Sequence, residues 1–275
     1  MSVPTEKRIF TTPLSRKIAA EHQIDLSRVI GSGPGGRIRS VDLLQFSAQP
    51  PHSRGTDFQQ ATSRKMTIAG SIPQFSLTIE CRVDELVDLR KTRNLDQPAA
   101  AKLTFNDMIT KATALALENH PGLLTICQQA VGESKGGPLH VSLAVASPRG
   151  LVTPVLKGVT QKTLVEISSE VRTLVEKAHQ GRLRPNELKG GLFTLTNLGN
   201  FGIREFVPVL NPPQVLILGI GEICQLPVVV SGQLEIGWTL RITAGADHRV
   251  LNGVEVAEYL KTLREFLEQP SKWTR

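Results

Sequence analysis

Over most of its length this sequence switches between two hydrophobic periods, and few architectures accommodate both. Phe75-Ser-Leu77-Thr-Ile79 alternates apolar and polar residues with period two, the pattern of a half-buried strand. His140-Val-Ser-Leu-Ala-Val-Ala-Ser147 alternates in the same way. Between them Thr104, with Asp107 three residues on, reads as a helix cap before Phe105, Met108, Ile109, Ala112, Leu115 and Ala116. Thr163 with Glu166 reads as a capping box, and Leu164, Ile167, Val171, Leu174 and Ala178 follow at helical spacing. Strand signals then occupy residues 193–196, 215–219, 228–230 and 234–244, with Ser231-Gly232 as a hairpin turn. A last helix carries Val256, Leu260, Leu263 and Leu267 on one side. Interleaved strands and helices imply an α/β layer protein with a mixed sheet. At 275 residues, 40% of them apolar and 21% charged, the chain has enough material for a proper core.

The N-terminal stretch follows different rules. Thr12 reads as a cap and Pro13 as the first helical residue, with Leu14, Ile18 and Ala19 forming an apolar face. Gly31-Ser-Gly-Pro-Gly-Gly36 is a loop, since it neither holds a helix nor packs a strand. Ser40 caps a second short helix with Val41, Leu43 and Leu44. These features set a small helical domain at residues 7–46. Ser, Ala, Gln, Pro, His, Arg and Gly without apolar period fill residues 47–55, so a linker is expected over 47–62 and the large domain over 63–275.

Composition narrows the function. The three cysteines, Cys81, Cys127 and Cys224, form no CxxC pair and have no His at zinc-ligand spacing. They read as thiols in a reducing compartment, and no metal is expected. Met1 to Arg8 is polar and charged, so no secretory signal is expected. No apolar run reaches the roughly 18 residues of a membrane helix, and a cytoplasmic location is expected. The net charge is +7, but only 4% of residues are aromatic and no nucleic-acid recognition module is present. The basic residues are solvated surface, or they meet the phosphates of a cofactor or an acidic partner.

Two places suit chemistry. His248 follows a long strand within Asp247-His-Arg-Val-Leu-Asn-Gly253. Val250-Leu251 pins the turn and Asn252-Gly253 bends it before the next helix. An imidazole held there takes and returns a proton near neutral pH; the competing reading is a histidine with its hydrogen bonds satisfied. Thr196 ends the strand signal in Thr194-Leu-Thr-Asn-Leu-Gly-Asn-Phe-Gly202. Its hydroxyl, near glycines that admit a substrate, suits donation to an oxyanion; the competing reading is an ordinary polar strand position. The spacing does not fit a phosphate-binding loop.

The same residues resemble the acyltransferase component of 2-oxo acid dehydrogenase complexes over nearly the whole chain. Asp25-Leu-Ser and Gly31-Ser-Gly-Pro-Gly-Gly-Arg37-Ile, within residues 8–46, are similar to the family's peripheral subunit-binding domain. Pro148-Arg-Gly-Leu-Val-Thr-Pro154, Phe193-Thr-Leu-Thr-Asn-Leu-Gly199, Asn211-Pro-Pro-Gln214 and Asp247-His-Arg-Val-Leu-Asn-Gly253 follow in the family's order. The resemblance implies a chloramphenicol-acetyltransferase-like fold in trimers, each active site lying between two subunits. It implies coenzyme A or acetyl-CoA as substrate, His248 as base and Thr196 of the neighbouring subunit as oxyanion donor. Asn252 stands where the family commonly has Asp, and a structural or positioning role is expected of it.

The departures steer the functional expectation. No lipoyl-lysine domain is expected ahead of the binding domain, Gln59 or Gln60 occupies a place that usually holds Arg, and Pro-His-Phe appears as Pro73-Gln-Phe75. The end, Pro270-Ser-Lys-Trp-Thr-Arg275, is charged at its tip, so a homotrimer is expected in place of a large cage. These features favour a stand-alone O-acetyltransferase of specialised metabolism, for example acetylating a hydroxymethyl group in tetronate biosynthesis. The alternatives are the dihydrolipoamide acetyltransferase core of a conventional complex with its lipoyl domain on another chain, and a non-catalytic scaffold. Arg16, Lys17, Arg37 and Arg39 would dock dihydrolipoamide dehydrogenase or another protein, and a lipoyl or acyl carrier protein is a further candidate partner.

Overall fold

The structure, a computed structural model, describes residues 10–21, 24, 26–43, 57–98, 101–148 and 150–274. The chain divides into two units, Met1–Thr56 and Asp57–Arg275.

In the first unit α1 spans Pro13–Glu21. The Ser15 amide donates to Thr12 Oγ1 at 3.2 Å, and the buried Ser15 hydroxyl donates to the Ile38 carbonyl at 3.1 Å. Tight turns follow at Leu26–Arg28 and Pro34–Gly36, and residues 40–43 are helical. Ala19, Val29, Ile38 and Leu43 form the core. Leu14 and Val41, expected on apolar faces, are exposed instead, and Leu44 lies outside the described residues. The Gly loop has a steric reason: a Cβ on Gly31 would sit 2.3 Å from the Gly36 carbonyl oxygen. Asp42 ties the loop together, accepting from the Arg39 amide at 2.8 Å, the Ser32 hydroxyl at 2.5 Å and the Ser32 amide at 3.0 Å. These donors pull its pKa from 3.8 down to about 2.

The second unit begins with α2 (Asp57–Gly70), so residues 57–62, assigned to the linker on composition, are helical. There follow β1 (Gln74–Arg82), α3 (Asp84–Arg93), α4 (Phe105–Glu118), α5 (Pro121–Val131), β2 (Val141–Leu143), β3 (Val145–Ser147), β4 (Gly150–Val152) and β5 (Val155–Leu156). The chain continues through α6 (Leu164–His179), β6 (Phe193–Asn197), β7 (Leu216–Val230), β8 (Gln233–Asp247) and α7 (Gly253–Glu268). Six strands form a mixed sheet in the order β1-β8-β7-β6-β2-β5, and β3 pairs with β4 separately. The β6 pairings with β7 and β2 are parallel, and the rest are antiparallel.

Local chemistry explains the element boundaries. Thr104–Asp107 and Thr163–Glu166 are reciprocal capping boxes at the starts of α4 and α6. Ser231 and Gly232 both have positive φ, 50° and 83°, as a tight hairpin between β7 and β8 demands. The alternation over 140–147 is one strand in the sequence but two in the structure. The Ala144 amide still donates to the Leu195 carbonyl of β6 at 2.8 Å, and beyond it β3 leaves to pair with β4.

One face of the large sheet packs on helices. Met108, Ile109 and Leu117 of α4, and Tyr259 and Leu263 of α7, meet Leu216, Leu218, Ile242 and Ala244 in one buried cluster. The segment 203–210 crosses the other face. It lies so close that a Cβ on Gly221 would sit 2.1 Å from the Arg204 carbonyl oxygen, and one on Gly245 3.1 Å from the Pro208 carbonyl. Gly221 is therefore required by this crossing and Gly219 and Gly245 lie tight against it, and β7 continues with an irregularity between Ile220 and Ile223.

Candidate active site

His248 stands one residue beyond β8, and three contacts fix it. Its backbone amide donates to the Pro73 carbonyl at 2.9 Å, its ring lies 4.7 Å from the Phe75 ring at a 55° tilt, and its Nδ1 is 3.2 Å from the Leu251 carbonyl oxygen. A carbonyl only accepts, so Nδ1 carries the proton and Nε2 presents its lone pair. That is the tautomer a general base needs. The imidazole is solvent-exposed in the protomer.

The turn that places Leu251 is built around Asp247, which is 3% exposed. Its backbone carbonyl accepts from the Val250 and Leu251 amides at 3.3 and 3.0 Å. Its carboxylate takes the Arg249 guanidinium, with Nε at 2.9 Å from Oδ1 and Nη2 at 2.7 Å from Oδ2, plus the Arg249 amide at 3.0 Å. The Arg249 hydrogen bonds hold this carboxyl below the usual range against the opposing effect of burial. In the sequence Asp247 and Arg249 are only neighbours of His248, and no periodicity shows that they clamp its turn.

Asn252 caps α7. Its Oδ1 accepts from the Val254 and Glu255 amides, both at 3.0 Å, and Glu255 returns a carboxylate to the Asn252 amide at 3.0 Å. The Gln60 side chain is exposed on α2, and that of Gln59 lies outside the described residues.

Thr196 lies in β6, half-buried, opposite Gly219 of β7, which pairs in turn with Thr243 of β8. Two residues earlier, buried Thr194 donates to Gln214 Oε1 at 2.5 Å. Gln214 Nε2 donates to the Ser142 hydroxyl at 2.9 Å and the Gly191 carbonyl at 2.7 Å, and Asn211 Nδ2 reaches Thr194 Oγ1 at 3.4 Å. Gln214, at the end of an Asn-Pro-Pro-Gln segment with a cis bond between Pro212 and Pro213, is thus a buried polar plug joining β2 and the start of β6, with half-buried Asn211 beside it. It holds the strand that carries Thr196.

The structure does not bring Thr196 and His248 of one chain together. Thr196 is level with Thr243, five residues before His248 and two strand spacings away. At ~3.4 Å per residue and ~4.8 Å per strand, their backbones are roughly 19 Å apart. No single reacting carbonyl could touch both.

A cavity of about 340 Å³ is lined by Phe105, Ile109, Asn197, Asn200, Ile220 and Glu222 among others. Asn197 and Ile220 lie at the sheet position next to Thr196 and Gly219, and so face the helices. Cys81 and Cys127 are buried, and burial pushes the Cys127 thiol up to about 12; Cys224 is half-buried. No group of three or more potential metal ligands, and no helix long and apolar enough to cross a membrane, occurs among the described residues.

Residues 51–275 match the family described as 2-oxoacid dehydrogenases acyltransferase (catalytic domain). The chain belongs to that family. This acyltransferase is of the acyl-CoA-dependent kind, and its mixed sheet is chloramphenicol-acetyltransferase-like. Residues 9–44 match the e3 binding domain. The acyltransferase is 34% identical over 276 residues to the dihydrolipoyllysine-residue acetyltransferase component of the pyruvate dehydrogenase complex of Rickettsia typhi, covering 96% of this chain and 68% of that one. The mitochondrial counterpart of Dictyostelium discoideum is 37% identical over 299 residues, covering 97% of this chain and 46% of its own. Among solved structures, an Azotobacter vinelandii dihydrolipoamide acetyltransferase, studied for the role of a serine, a histidine and an asparagine in catalysis, superposes with a TM-score of 0.73. It is 26% identical, over 82% of this chain and 95% of that one. These findings overturn the expectation of a stand-alone O-acetyltransferase of specialised metabolism. The relatives are components of the pyruvate dehydrogenase complex, and this chain carries an e3 binding domain match beside the catalytic one.

Proposed function

We propose that this chain is the dihydrolipoamide acetyltransferase core of a 2-oxo acid dehydrogenase complex. It exchanges an acetyl or short acyl group between coenzyme A and the thiol of a dihydrolipoyl group carried outside the two matched domains. The observation that carries the reading is the His248 turn, in which the Leu251 carbonyl fixes the proton on Nδ1. In the direction from acetyl-CoA, Nε2 takes the thiol proton and the sulfur attacks the thioester carbonyl. The resulting oxyanion accepts from the Thr196 hydroxyl. Collapse breaks the bond to the CoA sulfur, and the imidazolium returns its proton to that sulfur.

The separation of Thr196 and His248 within one chain supports a site shared between subunits, and hence a homotrimer. The serine, histidine and asparagine of the Azotobacter protein are spaced along its chain as Thr196, His248 and Asn252 are in this one, residue for residue. That supports Thr196 in the serine's role, a hydroxyl for a hydroxyl, and it supports Asn252 as a feature compatible with activity. Asn252 acts by fixing the start of α7 directly behind the base. The first unit recruits dihydrolipoamide dehydrogenase through its basic side chains, Arg16, Lys17, Arg37 and Arg39.

The test is release of CoA thiol from acetyl-CoA with dihydrolipoamide or a panel of small alcohols as acceptor. Turnover with dihydrolipoamide, reduced about 10²–10⁴-fold in His248→Ala, is the expected result. Turnover with alcohols alone, or an alanine variant as active as the parent, contradicts the proposal.

A further inference from the structure

Three consecutive residues at the start of β1 meet the base and its surroundings, and only two of them touch it. Pro73 receives the His248 amide through its carbonyl, and Phe75 lies against the imidazole. Gln74 touches neither. Its register partner across the sheet is Asp247, the residue before the base. Its Nε2 donates to the Ala69 carbonyl at 2.7 Å, and its Oε1 accepts from the Leu210 amide at 3.1 Å. Ala69 belongs to the last turn of α2, where helix carbonyls have no partner of their own. Leu210 ends the segment that crosses the sheet and is buried with Ile72 and Ile217.

One amide therefore ties together the end of α2, the start of β1 and the crossing segment. We infer that Gln74 is a positioning residue for the base, holding the Pro73–Phe75 platform on which His248 is set. The inference rests on the assignment of His248 as base. Gln74 is itself exposed, whereas Ala69 and Leu210 are buried, so losing its two hydrogen bonds should lower the thermal midpoint by a few degrees without unfolding the chain. Position is different: a shift of about 1 Å in a catalytic group can cost about 10²-fold in rate. Loss of Gln74 should therefore show in kcat far more than in stability or substrate affinity.

The experiment uses the full chain as parent, Gln74→Met, Gln74→His and His248→Ala. Methionine keeps the length and has neither a strong donor nor a strong acceptor, whereas a neutral imidazole offers one of each. Steady-state kcat and KM for acetyl-CoA and dihydrolipoamide are measured above pH 8, together with the thermal midpoint. The expected result for Gln74→Met is a fall in kcat of about tenfold or more, with KM values within about threefold and a midpoint within a few degrees of the parent. Gln74→His should recover the larger part of the lost kcat. A Gln74→Met variant with kcat within about twofold of the parent overturns the inference, and so does a Gln74→His variant as slow as the methionine one. Should His248→Ala lose activity while Gln74→Met keeps it, the base assignment stands and the Gln74 inference alone falls. Should His248→Ala be fully active, both fall.

Discussion

Gln214→Leu puts the buried plug to a quantitative test. The residue is 6% exposed and its amide makes three hydrogen bonds, to Thr194, Ser142 and Gly191. Leucine fills nearly the same space but makes none of them. At a net value of about 1 kcal/mol per neutral bond, the loss is about 3 kcal/mol. The orphaned groups have little chance of relief. A Cβ on Gly191 would already fall 2.0 Å from Ser142 Oγ, so this part of the interior is filled and has no room for a replacing water. For a domain of this size each kcal/mol moves the thermal midpoint by roughly 2–4 °C, so the variant should melt roughly 6–12 °C below the parent. Ser142→Ala, which removes one of the bonds, should fall by about a third as much. Differential scanning calorimetry at equal protein concentration decides it. A Gln214→Leu midpoint within about 2 °C of the parent would show that the network contributes little beyond its bulk, and the reasoning would be wrong.

Two further perturbations address the other parts of the account. Asn252→Ala removes the α7 cap and should cost about 1 kcal/mol in urea unfolding, whereas Asn252→Asp should keep the cap; equal effects would contradict the capping role. Asp42 has its pKa depressed by donors present only in the folded loop. Its contribution is therefore in place above about pH 4 and is lost as pH falls towards about 2. In the full chain, backbone amide signals of Ala19 and Ile38 should report first-unit unfolding over that window, and Asp42→Asn should flatten the dependence; an unchanged acid profile would refute it.

How much of this was legible in the sequence depended on whether the cause was local. The caps at Thr104 and Thr163 and the hairpin at Ser231-Gly232 are short-range devices, and each appeared where its spacing placed it. Helix α3 gives no apolar stripe to read, because six of the ten residues in Asp84–Arg93 are charged and only Leu86 is buried. The division of 140–147 into two strands follows a change of pairing partner, from β6, which is remote in sequence, to β4. Lys111 is a sharper case. Lying within the apolar stripe of α4, it reads as a solvent residue, yet it is buried. Its Nζ donates to the carbonyls of Val159, Thr160 and Lys162 at 3.2, 2.8 and 2.7 Å. For the site, the sequence singles out candidate residues and the structure shows how each is held. The proton on Nδ1, the Asp247 clamp and the separation of Thr196 from His248 all follow from contacts that no spacing encodes.

That separation offers the most direct test of the central claim, that each reactive centre takes its base from one subunit and its oxyanion donor from the next. His248→Ala and Thr196→Ala chains, each severely impaired alone, would be co-expressed with different affinity tags and purified as mixed trimers through both. In every such mixed trimer about one site in three combines an intact His248 with an intact Thr196 of the adjoining subunit, given cyclic symmetry. The account predicts that acetyl transfer to dihydrolipoamide recovers towards about a third of the parental rate per site. A mixed trimer no more active than the better of its two parents would place both groups within one chain and contradict the account.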